Sequence, residues 1–400
     1  MKVMNTGLVR LARRIDGLWR FLAFTRQLWH PPHPDAAPGE PLAILVLELH
    51  LIGDAVMLLP FLEALRRRNP TARITVVAGP WNNPVFANEP SLDSIIEFTA
   101  PWVKGQGVWA SWLAVRTLVR KLRGQRWDIG IDMRGDIRNI LILFFARCVQ
   151  RVGFDFTGGA RLLTSVVPDN GSLDSLLGHH ERLAHSMDAF DGKPFVPQLR
   201  LNTEEYSRAQ GILNFVGFHF GASLPLRRLP LEDAATLIRQ CLAVYDGRAI
   251  IFDAPGLESY VAELMVQLQD DVRARIDVWR GDLRSFIVIS TRASVMYTMD
   301  SGPAHIAAAT GCPTVVLFGP NRAALTSPRG AHVQCVELDL PLPCQPCDQR
   351  RCIHPGTRQA CLKGLASEAV EAGLRLRSTG TPHPDSKQMH RMHRSRMSNP

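Results

Sequence analysis

The 400-residue sequence contains no apolar run approaching the roughly 20 residues needed to cross a bilayer, so no spanning helix is expected. Its N-terminus also lacks the unbroken apolar stretch of roughly 7–15 residues that marks a signal peptide, because Arg or Lys recurs every few positions. Retention in the cytoplasm is the expectation. Basic charge is scarce where a nucleic-acid enzyme needs it. The formal charge of +9 is concentrated in residues 1–30 and 375–400, each net +5, which leaves the body near −1. Without a basic face to track a phosphate backbone, a nucleic-acid partner is excluded. Several short motifs are missing as well. There is no Walker A loop, no Asp-x-Asp to hold a metal against a diphosphate, and no glycine fingerprint for a dinucleotide after the first strand. His180 and His185 are five residues apart, about 140° around a helix of 3.6 residues per turn, so they cannot share a metal as an i,i+4 pair does.

What is present is a chain 46% hydrophobic and 21% charged, enough to bury a sizeable core, and long enough for two domains. Residues 7–29 place Leu8, Leu11, Ile15, Leu18, Leu22 and Trp29 on one helical stripe with arginines elsewhere around it, a basic amphipathic helix. Five prolines between 31 and 41 form a stiff linker, and folded structure is expected from Ala43. Strands and helices then alternate: apolar runs at 43–49, 74–79, 94–98 and 127–133 are separated by helices at about 54–68 and 111–123. A second series follows the Pro-containing link at 192–202, with strands at 214–223, 249–255, 276–279, 294–300 and 314–320 and helices at 231–245, 256–269 and from 303. Continuous apolar strands alternating with helices imply parallel sheets covered on both faces. The fold class is α/β, with two doubly wound Rossmann-like units and ligands between them at the carboxyl ends of the strands. The boundaries expected are 1–41 for helix and linker, 42–200 and 201–374 for the two domains, and 375–400 for a disordered basic tail.

Four places carry candidate chemistry. Asp300-Ser301-Gly302-Pro303-Ala304-His305 joins a strand to an alanine-rich helix. Ser301 is a good N-cap, and the free N–H groups of Ser301, Gly302 and Ala304 would hold a diphosphate, unless the segment is an ordinary capped turn. His305 fits a packing role; an adjacent phosphate would favour its charged form. Asp54, after the first strand, is placed either to accept a proton from a substrate hydroxyl or to cap its helix. Arg227 and Arg228 either neutralise a leaving diphosphate or form a solvated pair. Glu258 either accepts ribose hydroxyls or is a surface side chain. Finally, Cys344-x2-Cys347-x4-Cys352-x8-Cys361 either closes a tetrahedral zinc site or consists of reduced structural thiols remote from catalysis.

The stretches IGDAVMLLPFLEALRRRNPTARITVV, WDIGIDMRGDIRN, RVGF, GAS with RRLP, MDSGPAHIAAATGCPTVVLFGP and CQPCDQRRC…C together resemble glycosyltransferase family 9, the lipopolysaccharide heptosyltransferases. The resemblance implies a GT-B fold of two facing Rossmann-like domains, no cofactor or metal requirement, and inversion at the anomeric carbon of a nucleotide-activated heptose. It implies an acceptor domain followed by a donor domain for a nucleotide-sugar co-substrate, ADP-heptose. Asp54 matches the family's base; Arg227, Arg228, Ser301 and Gly302 match its phosphate region, with Asp300 and His305 in the same block, and Glu258 its nucleoside region. Family members often carry a basic residue at Glu48, a polar one near His50, Trp at Leu229 and Asn at Met299. The expected function is transfer of heptose onto a lipid-linked saccharide acceptor of the lipopolysaccharide core. The enzyme would be cytoplasmic and peripheral on the inner membrane, docked on its anionic surface through residues 1–30. The rivals are a GT-B nucleotide-sugar epimerase and a catalytically silent, membrane-docked scaffold.

Overall fold

The computed structural model describes residues 40–103, 108–168, 175–339, 342–347, 349 and 351–378. The amphipathic helix expected at 7–29, nearly all of its linker and the tail from 379 onward lie outside the described residues.

The chain divides into two compact units between Phe195 and Val196. The first unit has six parallel strands: β1 (Ala43–Glu48), β2 (Arg73–Ala78), β3 (Ser94–Glu97), β4 (Ile129–Asp132), β5 (Gln150–Gly153) and β6 (Ser165–Val166). They lie in the order β3-β2-β1-β4-β5-β6. The second unit repeats this with β7 (Phe215–His219), β8 (Ala249–Phe252), β9 (Ile276–Trp279), β10 (Ala293–Met299), β11 (Thr314–Leu317) and β12 (Val333–Val336) in the order β12-β11-β10-β7-β8-β9. Counted from each unit's own first strand, both sheets read 3-2-1-4-5-6. In that order the crevice that takes ligands opens at the carboxyl ends of strands 1 and 4, where the winding reverses.

The apolar runs become the central strands because helices cover both faces. β1 is buried along its whole length, and Leu45, Leu47 and Trp127 are fully enclosed in the first core. In the second unit Phe218 and Tyr297, from adjacent strands, stack 5.4 Å apart under the final helix, Ala366–Ser378. That helix runs four residues into the expected disordered tail at 375–400, since Ala369, Ala372 and Leu376 bury an apolar face there. Residues 196–200 go with the second unit rather than the first. The Leu199 N–H donates to the Ala309 carbonyl at 2.8 Å, and the Arg284 guanidinium holds the Arg200 carbonyl at 2.6 Å.

Candidate functional site

In the first unit Asp54 stands in the first turn of the Ile52–Arg68 helix, directly after β1. Its two oxygens have different partners. Oδ2 accepts the Leu51 N–H at 3.0 Å, so the capping role is real. Oδ1 lies 2.9 Å from Nη1 of Arg134, a side chain only 5% exposed. Arg134 follows β4, so the ion pair spans the reversal point of the sheet. The turn carrying Arg134 is tied down by hydrogen bonds to Asp132. Asp132, fully buried, accepts the Arg134 N–H at 3.2 Å, the Asp136 N–H at 2.9 Å and the Asn139 amide at 2.8 Å. Burial pushes the Asp132 carboxyl up to about 7 despite these bonds.

Behind Asp54 is a buried polar cluster. Glu48 ends β1 with no exposed surface; its Oε1 accepts the His50 N–H at 3.2 Å and lies 3.3 Å from His50 Nδ1. His180, also fully buried, donates from Nδ1 to the Met57 carbonyl at 3.1 Å, where the Leu176–Ser186 helix packs on the Ile52–Arg68 helix. Burial lowers the His180 imidazole to about 4, against the pull of Glu48 and Asp54, so it is neutral at physiological pH. Sequence reasoning missed Arg134 and His180 as parts of this site. The only signal for Arg134 was the strand-end motif MRGDIRN.

In the second unit Arg227 ends the short 3-10 turn Pro225–Arg227 after β7, and Asp300 follows β10. Arg227 Nη1 lies 3.7 Å from Asp300 Oδ2, again across the strand-1/strand-4 reversal. Asp300 also accepts the Asn321 amide at 2.6 Å and the Thr326 hydroxyl at 3.0 Å. It is therefore spent on organising the turn, while Nε of both Arg227 and Arg228 is buried with no hydrogen-bond partner among the described residues. Gly221 is required beside this turn, because a Cβ there would come within 2.7 Å of the buried His219 ring. Leu229 is buried, and its carbonyl accepts the Tyr260 hydroxyl at 2.8 Å.

Ser301 does not cap its helix as expected. Ser301 occupies the N-cap position of the Gly302–Ala309 helix in extended conformation, but its hydroxyl donates back to the Met299 carbonyl at 3.2 Å and caps nothing. The reason is local. A cap accepts from the second or third helical N–H. Here the second residue is Pro303, which has none, and the Ala304 N–H is taken by the Ser301 carbonyl at 3.0 Å. Ala304 is thus removed from the donors expected for a diphosphate, leaving Ser301 and Gly302. His305 is buried in the first turn of that helix. Glu258 is exposed, at the start of the Glu258–Gln267 helix, and its Oε2 accepts the Gly256 N–H at 2.8 Å.

The cysteine-rich segment is not remote from these arginines. Gln359 donates from Nε2 to the carbonyls of Leu226, at 3.0 Å, and Arg228, at 2.9 Å. Gln345 reaches the Gly319 carbonyl, and the Cys347 N–H donates to that of Pro320 at 2.7 Å. Cys344, Cys347, Cys352 and Cys361 line one cavity. Burial and the neighbouring thiols push Cys361 up to about 11, whereas the Gln359 and His354 N–H groups hold Cys352 below the usual thiol range. Among the described residues no three His, Cys, Asp or Glu side chains already stand at metal-holding geometry.

Two doubly wound units, each with a polar mouth at its reversal point, make up the GT-B fold. Of solved structures, the E. coli ADP-heptose lipopolysaccharide heptosyltransferase II superposes with a TM-score of 0.68 at 21% identity, covering 84% of this chain and 99% of that one. A family 9 glycosyltransferase from Veillonella parvula gives 0.71 at 19% identity, covering 86% and 100%. Among sequences, the lipopolysaccharide heptosyltransferase 2 of E. coli K12 is 26% identical over 315 residues, 74% of this chain and 88% of that one. The lipooligosaccharide heptosyltransferase 2 of Haemophilus influenzae is 24% identical over 313 residues, with the same shares. The family model for glycosyltransferase family 9 (heptosyltransferase) matches residues 115–357. The chain belongs to glycosyltransferase family 9 and is a glycosyl-transferring enzyme. Among the described residues no helix is long and apolar enough to cross a membrane.

Proposed function

We propose that the chain is an inverting heptosyltransferase of lipopolysaccharide core assembly, with ADP-heptose as donor and a lipid-linked saccharide as acceptor. Family membership and the activities named for its relatives support the group transferred. The observation that carries the donor side is the pair of buried, unspent Nε donors on Arg227 and Arg228. An arriving diphosphate gains charge-assisted hydrogen bonds that these groups otherwise forgo.

The acceptor hydroxyl attacks the anomeric carbon as the bond to the diphosphate oxygen breaks, inverting that centre. Asp54 takes the hydroxyl proton, with Arg134 keeping its carboxylate aimed. Charge building on the diphosphate meets Arg227, Arg228 and the Ser301 and Gly302 N–H groups, which are stronger partners for the transition state than for the ground state. In this reading Glu258 contacts the nucleoside, His305 supports the phosphate turn, and Asp300 acts by holding Arg227. The chemical step needs no divalent cation, because two guanidinium groups supply the neutralising charge.

One observation favours a second reading of the base. His50 Nδ1 lies 3.3 Å from the buried Glu48, a pairing that orients an imidazole for proton transfer. Transfer from ADP-heptose to purified truncated core acceptor tests the whole scheme. Product of inverted configuration is expected, at a rate unchanged when Mg²⁺ is added to protein assayed without divalent ions. His50→Asn then retains turnover if Asp54 is the base.

A further inference from the structure

Asp132 ends β4 with no exposed surface, and the donors its carboxylate faces come from the segment that follows the strand. Oδ1 accepts the Arg134 N–H at 3.2 Å and the Asn139 amide at 2.8 Å, and Oδ2 accepts the Asp136 N–H at 2.9 Å. None of these bonds belongs to the sheet. The strand neighbours of Asp132 are Leu47 of β1 and Gly153 of β5, neither of them titratable, and a Cβ on Gly153 would come within 3.2 Å of the Asp132 Cβ. Asp136 is the acid that acts on Asp132 through its charge, and its own carboxylate caps the next helix and pairs with Arg138. Asn139, also fully buried, leaves its carbonyl oxygen without a hydrogen-bond partner among the described residues, so what it contributes is the N–H given to Asp132. A buried carboxylate is destabilising unless its charge is satisfied, and an ionised one only accepts, which suits three converging donors. What the three donors secure is Arg134, whose Nη1 lies 2.9 Å from Oδ1 of Asp54.

We propose that Asp132, held by Asn139, is a positioning residue for transfer: its carboxylate fixes the turn of Arg134 and so the carboxylate of Asp54, and gaining a proton releases both. Protonation turns one acceptor oxygen into a donor that faces an N–H, so one of the three ties is lost and Arg134 is freed to swing away from Asp54. Burial pushes the Asp132 carboxyl up to about 7, which brings this change into the neutral range. Transfer is therefore fastest with Asp132 ionised and slows as pH falls through about 7. The link to transfer rests on Asp54 as the base; the hold on Arg134 does not.

The kcat of the full-length enzyme, measured with ADP-heptose and truncated core acceptor from about pH 5.5 to about pH 8.5, is expected to rise through a midpoint near pH 7 and level off, with KM for ADP-heptose nearly constant. Asp132→Asn, checked for folding by circular dichroism and by its Kd for ADP, sets an amide nitrogen against an N–H at every pH. Its kcat is expected to lie roughly five- to tenfold below the wild-type plateau, the size of about one lost hydrogen bond, with no step near neutrality. Asn139→Leu removes a donor from the ionised form alone and should move the midpoint up by about one pH unit. This second variant decides the matter if Asp132→Asn does not fold. A wild-type profile without the step overturns the positioning role, as does a step that survives in Asp132→Asn or stays in place in Asn139→Leu. If Asp54→Asn turns over like the wild type while Asp132→Asn still loses the step, Asp54 is removed as the base and the hold of Asp132 on Arg134 stands.

Discussion

Asp54 meets a guanidinium on one oxygen and a main-chain N–H on the other, so replacing it is both a kinetic and a structural event. Asp54→Asn is expected to slow transfer by roughly 10²–10⁴, the usual range for a positioned general base. Its amide oxygen still accepts the Leu51 N–H, but Arg134, 5% exposed, loses the Asp54 charge 2.9 Å away. A stability loss of about 1–3 kcal/mol should follow. The Kd for ADP should not move, because the proposed donor site belongs to the other unit. Turnover at the wild-type rate would pass the base role to His50. Two histidines give a pH prediction. Burial lowers both His180 and His219 to about 4, while the unfolded chain titrates near 6.5. Between these values the unfolded state binds more protons, so this stabilisation is complete above about pH 6.5 and is lost as pH falls toward about 4. Asp132, raised to about 7, acts in the opposite sense: its contribution is fullest below its unfolded value of 3.8 and is lost as pH rises to about 7. With two histidines against one aspartate, the melting temperature should fall on acidification from pH 6.5 to pH 5. His180→Gln should flatten that fall, and parallel curves for the two proteins would show that His180 does not drive it.

Among the elements, the final helix tests whether packing or propensity governs. A glycine inside a helix costs about 1 kcal/mol relative to alanine, so propensity alone makes Gly373→Ala stabilising. Packing says the reverse. A Cβ on Gly373 would collide with the Tyr297 hydroxyl and come within 3.0 Å of that of Tyr245, both buried against the sheet. Overpacking of this kind costs about 1–3 kcal/mol, so urea unfolding should show a net loss; a gain would mean that the Ala366–Ser378 helix rides loosely on its sheet. The central strands were legible because their apolar runs are unbroken: β1, β2, β10 and β11 each lie within a few residues of the expected bounds. Three strands, β5, β6 and β12, were not. β5 opens on Gln150-Arg151, β6 has two residues and β12 alternates Val333-Gln334-Cys335-Val336, all partly exposed and without an unbroken apolar run. The helices Ile137–Phe145 and Leu283–Ser290 also escaped assignment, although Asp136 and Asp282 cap them with side-chain oxygens. Asp54 and Arg227 could be selected for their chemistry and their place after a strand. Their partners could not. Arg134 is 80 residues from Asp54, Gln359 is 131 from Arg228, and only the strand order that sets strand 4 beside strand 1, or a returning loop, brings such residues together.

At the scale of the whole molecule the two units solve the same problem in the same way. Each carries an arginine–aspartate pair across its own reversal point, Asp54 with Arg134 in one and Arg227 with Asp300 in the other, with the polarity exchanged. In the first unit the aspartate follows strand 1; in the second the arginine does, and the aspartate holds it. In the proposed reading, a base and an anion receptor arise from one topological position by swapping which partner leads. The charge of the chain is distributed differently, with net +5 in residues 1–30 and net +5 in residues 375–400 around a nearly neutral body. In the proposed reading the acceptor is borne on lipid and residues 1–30 would meet the membrane. Their sequence has Leu8, Leu11, Ile15, Leu18 and Leu22 at helical spacing, with Trp19 and Trp29 suited to the interface and arginines suited to lipid phosphates. Each basic residue near an anionic surface contributes about 1 kcal/mol, an attraction that fades beyond the Debye length of about 10 Å at 0.1 M salt. Full-length protein should therefore co-sediment with vesicles containing anionic lipid at low salt and release as salt rises, while a 41–400 chain stays in the supernatant. Neutral vesicles should retain little of either, because the apolar stripe then acts without its charges. Equal binding by the two chains, or binding indifferent to salt, would remove residues 1–30 from the docking role and leave the basic C-terminal residues as the segment to delete next.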